Sequence, residues 1–132
     1  MASTRSVARS LVARLTRWGS ASVLIGGVLA IAPRSRAFGL QTLMWGAIDL
    51  GIAVFTRRRR SLPGKAALRR ILLVNTALDV GYVATGAHLA VRTPTFGGRL
   101  STADARGHGL AVIIQGAALF FLDLAAARRL SR

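Results

Sequence analysis

The stretch FGLQTLMWGAIDLGIAVFT, residues 38–56, runs straight into RRRR at 57–60, and its reading decides the fold. As a helix it extends roughly 28 Å, close to the hydrocarbon thickness of a bilayer. It carries one formal charge, Asp49, and then stops against four arginines. A carboxylate in hydrocarbon is costly unless it is neutralised, paired or hydrated. The same pattern recurs along the chain. All four acids are Asp; Asp79 and Asp123 also interrupt long apolar runs, and only Asp104 falls in a polar stretch.

Working outward, the expected fold is an all-α integral membrane four-helix bundle with spans at about 18–32, 38–56, 68–91 and 107–127. Pro33 stops the first span, Pro63 and Gly64 turn the chain after the arginine run, and Arg128 and Arg129 end the fourth. The connection 92–106 is polar and carries Pro94, Gly97 and Gly98. Residues 1–17 read as a basic interfacial segment that runs on into the first span. Val7, Leu11, Leu15 and Trp18 share one helical face, with Trp18 expected at headgroup level. Arg14 falls on that same face. A basic start, an apolar middle and the triplet Ala30-Ile31-Ala32 also fit a secretory signal, but Pro33 directly after the triplet disfavours cleavage.

Charge sets the expected orientation. Fourteen basic residues lie in the N-terminus, the 57–70 connection and the C-terminal tail, against five in the other two connections. The positive-inside rule then puts both termini in the cytoplasm of a bacterial plasma membrane, as a multi-pass protein. The net charge of +15 would suggest nucleic acid in a soluble protein. Here the charges flank apolar spans, so the expected counter-surface is a bilayer with anionic headgroups and not nucleic acid. There is no Cys, which removes disulfides, thiolate nucleophiles and Cys-ligated metals.

The intramembrane polar residues are the candidate site. On the third helix Asn75, Asp79, Tyr82 and Gly86 fall within a stripe about 60° wide; Gln41, Trp45 and Asp49 share a face of the second, and His108, Gln115, Leu119 and Asp123 share a face of the fourth. Asp49 and Asp79 should lie near the midplane, Asn75 and Asp123 nearer the cytoplasm, Tyr82 and Gln115 slightly outside the centre. Two carboxyls at one depth should share a proton, which suits proton or cation handling. Asp49 and Asp79 are therefore the expected titrating centre, with Asn75, Tyr82, Gln41, Gln115 and Asp123 in support. The rival reading makes these groups hydrogen-bonding glue between helices, with Asp123 paired to a snorkelling Arg128. Small-residue stripes, Ser22-Gly26-Ala30 and Ala77-Gly81-Thr85, suit close helix contact within a subunit, within a homo-oligomer or with a membrane partner. The spacings Gln41–Asp49 and Gln115–Asp123 match, a weak sign of two repeated hairpins.

Catalytic signatures are missing. No HExxH, no Cys/His cluster, no phosphate-binding Gly loop and no recognisably placed nucleophile occurs, so neither enzyme activity nor a cofactor or metal is expected. The segments Trp45-Gly46-Ala47-Ile48-Asp49, Asn75 to Tyr82 and Gln115-Gly116 before Asp123 resemble a group of uncharacterised small bacterial four-helix membrane proteins. That resemblance implies the fold and no particular chemistry. The leading expectation is proton- or cation-linked transport; the alternative is an accessory protein that binds a membrane partner.

Overall fold

A computed structural model describes residues 2–132. Four helices account for almost all of them: α1 (Thr4–Ile31), α2 (Arg36–Arg58), α3 (Lys65–Arg92) and α4 (Thr102–Ser131). There is no strand among the described residues.

Local chemistry sets the helix ends. Ser3 caps α1, its Oγ accepting from the Ser6 amide at 3.1 Å. Pro33 cannot continue that helix, and α1 closes at Ala32 in an extended conformation. Ser35 then donates its hydroxyl to the Leu29 carbonyl at 2.7 Å, which ties the tight α1–α2 turn to the helix it leaves. At the other turn Thr93, Phe96, Gly97 and Gly98 all take positive φ. Ser101 caps α4 by accepting from the Asp104 amide at 3.0 Å. Asp104 is thus in the first turn of α4, where its charge favours the helix N-terminus, and not in the connection. That connection is shorter than the sequence suggested, because a Ser-Thr-Ala-Asp cap starts the helix five residues before Gly107.

Residues 4–17 are helical. They continue without a break into α1 and pack on the bundle: Val7 meets Leu72, Ala126, Ala127 and Leu130, and Val12 and Leu15 meet Ala53.

The bundle is two hairpins. α1 packs along α2, α3 packs along α4, and α4 joins the hairpins by resting on α2 and, less extensively, α1. Glycine makes both hairpins close. A Cβ on Gly46 would sit 2.7 Å from the Gly19 carbonyl oxygen, and one on Gly86 would sit 2.7 Å from that of Gly109. Gly26 meets Gly39 in the same way. The stripe through Ser22 and Gly26 is therefore spent inside the chain. The Ala77-Gly81-Thr85 stripe is exposed, with nothing near Gly81.

Polarity is arranged inside out. Asp49, Asp79, Gln115, Asp123, Ser22 and Thr42 are buried, whereas Leu24, Ile25, Val28, Phe55, Val91 and Phe121 are well exposed. Two helices, α2 and α4, are long and apolar enough to cross a membrane. The apolar stretches of the other two are less hydrophobic, interrupted by Arg14 and Arg17 in α1 and by Asn75, Asp79 and His88 in α3.

Candidate functional site

α2 and α3 do not pack closely on each other. Between them lies a cavity of about 290 Å³, backed by α4 and bounded on one side by α1. Asp49 from α2, Asn75, Asp79 and Tyr82 from α3, and Asp123 from α4 all line it. The sequence brings these residues together because each stripe keeps its acid on the face its helix turns inward. Asp49 is 1% exposed and Asp79 is 3% exposed. Both carboxyl oxygens of Asp49, and Oδ2 of Asp79, are buried with no hydrogen-bond partner in the protein. Groups buried this way normally find hydrogen-bond partners, in protein or in water. Leu11, Leu15, Ile48, Ile52, Leu78 and Leu119 supply apolar parts of the wall.

An aromatic pair lies at one end. Trp45 and Tyr82 meet edge to face with ring centroids 5.0 Å apart. They lie four residues before Asp49 and three after Asp79, so on antiparallel helices they stand about one turn beyond the acids in the same direction. The opposite end leads to Thr56, Arg59, Leu62 and Pro63, at the connection between α2 and α3.

Two expected members are elsewhere. The Gln115 side chain turns to α1, where its Oε1 accepts from the Trp18 indole at 2.8 Å and its Nε2 donates to Ser22 Oγ at 3.1 Å. Gln41 Oε1 lies 2.9 Å from His108 Nδ1, pairing α2 with α4. Both glutamines fasten the hairpins together and neither lines the acid cavity. Trp18, near the middle of α1, is half-buried and donates its indole N–H to Gln115. No signal within one helix reveals these pairs, because each partner is chosen by the way the hairpins dock. The Asp123–Arg128 pairing also fails: Asp123 is 8% exposed and faces the cavity.

The glutamine bridge gives a measurable expectation. Gln115→Leu leaves the Trp18 indole and Ser22 hydroxyl without their partners, and should cost about 1–2 kcal/mol at roughly 0.6 kcal/mol or more per interhelical bond. Thermal unfolding in detergent should show it as a lower midpoint.

Fold and site together define an all-α four-helix protein with a carboxyl-lined interior cavity. The chain belongs to DUF6992, a family of unknown function, whose profile matches residues 14–124. The matched region contains all three cavity acids. No curated protein and no solved structure matches the chain.

Proposed function

We propose that this is a small multi-pass protein of the bacterial plasma membrane, with both termini cytoplasmic, that moves protons, alone or linked to a second solute, through the cavity of Asp49, Asp79 and Asp123. The observation that carries this is the buried, partnerless carboxyl oxygens of Asp49 and Asp79 on a shared cavity. Its volume corresponds to roughly ten waters, enough to hydrate and exchange protons on such groups. Insertion is supported by the outward-facing leucine, isoleucine, valine and phenylalanine side chains and by the excess of basic residues on one side.

In this mechanism the acids exchange protons as a cluster, since closely spaced carboxyls titrate together. Water reaches them from the Arg59 end, and the Trp45–Tyr82 pair closes the other. Directional movement then follows from which end is hydrated. Asn75 and Tyr82 supply polar groups on the same wall, and no covalent step or enzyme activity is involved. The exposed Ala77-Gly81-Thr85 stripe offers a face on which a second copy can pack. It equally suits the accessory reading, in which a different membrane protein occupies that face and no flux occurs.

The test is proton uptake into liposomes that hold a pH-sensitive dye and the purified full-length chain. Asp79→Asn keeps the side-chain size and removes the exchangeable proton, so uptake should fall about tenfold or more, as expected for an intramembrane proton relay. Uptake that is unaltered in Asp79→Asn, or absent from the wild type, overturns the proposal.

A further inference from the structure

A second concavity adjoins the acid cavity. It measures about 1020 Å³ and lies between the first half of α1 and the α2–α3 connection. Arg5, Arg9 and Arg17 reach it from α1, and Arg57, Arg59 and Arg60 from the other wall. No carboxylate lines it. Its apolar surface is Ala8, Val12, Ala13, Leu62 and Pro63. The α1 residues follow four-residue spacing, Arg5-Arg9-Ala13-Arg17, so they form one row along one helical face.

That row has a consequence in a bilayer. Twelve residues of helix separate Arg5 from Arg17, a rise of roughly 18 Å. If Arg5 sits at the surface, Arg17 lies well inside the hydrocarbon, near the level of the Trp18–Gln115 bridge. A guanidinium at that depth is stable only where polar or anionic groups are drawn in to meet it. The opposing arginines add positive charge and none of the compensation.

We propose that this cleft holds the headgroup phosphate of an anionic phospholipid, with the arginines on the phosphate and the apolar surface against the first part of the acyl chains. Guanidinium forks match phosphate oxygens in shape and charge. The ladder extends the contact below the usual headgroup plane, and this is what separates a built site from general attraction to the membrane surface. The inference rests on the bilayer reading given above, and it is independent of whether protons move.

Native mass spectrometry of the full-length chain, released from detergent in an equimolar mixture of phosphatidylglycerol and phosphatidylcholine, reads the site. The wild type should retain phosphatidylglycerol by about tenfold over phosphatidylcholine, a margin that a few charge-assisted contacts supply. Arg5→Gln/Arg9→Gln/Arg17→Gln should lose that preference. Arg128→Gln/Arg129→Gln/Arg132→Gln, which removes equal charge outside the cleft, should keep it. Equal retention of both lipids by the wild type, or equal loss in the two variants, overturns the proposal. Displacement of the lipid by millimolar inorganic phosphate also overturns it, by assigning the cleft to a soluble anion. The wild-type competition alone decides the matter if the cleft variant does not fold. Alkaline extraction of cell membranes separates the two failures: a chain that stays in the membrane pellet but shows no lipid preference sinks the cleft alone, while a chain released without detergent sinks the bilayer reading.

Discussion

Gly109→Leu should prevent the α3–α4 hairpin from forming. A Cβ at this position would lie 2.5 Å from the Ala90 amide nitrogen and the Gly86 carbonyl oxygen. These are backbone atoms of a packed helix, so no side-chain rotation relieves the overlap. Overpacking where side chains can yield costs about 1–3 kcal/mol, and this contact should meet or exceed the upper figure. Leucine's better helix propensity returns less than about 1 kcal/mol, so the steric term wins. Gly81→Leu is the control. Nothing lies within 4 Å of a Cβ there, and the same propensity gain should leave that variant at least as stable as the wild type. Size-exclusion profiles and melting curves in mild detergent check both. A monodisperse, wild-type-like Gly109→Leu would mean that the hairpin is not packed this way.

These contacts show what the sequence disclosed and what it withheld. Four helices were legible because long apolar runs alternate with arginine clusters and prolines. Their extents were less so: caps at Ser3 and Ser101 start α1 and α4 earlier than hydropathy suggests. Helical periodicity brought Asp49, Asp79, Asn75, Tyr82 and Asp123 onto inward faces, and all five line one cavity. Periodicity cannot say which neighbour an inward face meets. Gln115 and Gln41 share faces with Asp123 and Asp49, yet hairpin docking sends Gln115 to α1 and Gln41 to His108. The partner of Trp18 was hidden for the same reason. The position of Trp18 after a basic segment suggested an interface, while its actual partner lies 97 residues away in sequence.

Trp45→Ala should convert the proposed proton pathway into a leak. Trp45 and Tyr82 connect the two helices that otherwise leave a gap, at 5.0 Å between ring centroids, on the far side of the acids from Arg59. An aromatic pair contributes about 0.5–1.5 kcal/mol beyond its buried area, and Tyr82 is 37% exposed, so losing the indole should not unfold the bundle. It would, however, remove the bulk that separates the carboxyls from the opposite end. Proton uptake into liposomes should then rise about tenfold or more, since a water-accessible path no longer waits on a closing step. The double variant Trp45→Ala/Asp79→Asn tells two kinds of leak apart. If protons still travel by way of the acids, uptake should fall back towards the Asp79→Asn level. If the passage has become a continuous water file, uptake should stay high whatever residue 79 is. Unchanged uptake in Trp45→Ala would mean that the aromatic pair is not the closure, and decreased uptake would mean that it positions Asp49 and Asp79 instead.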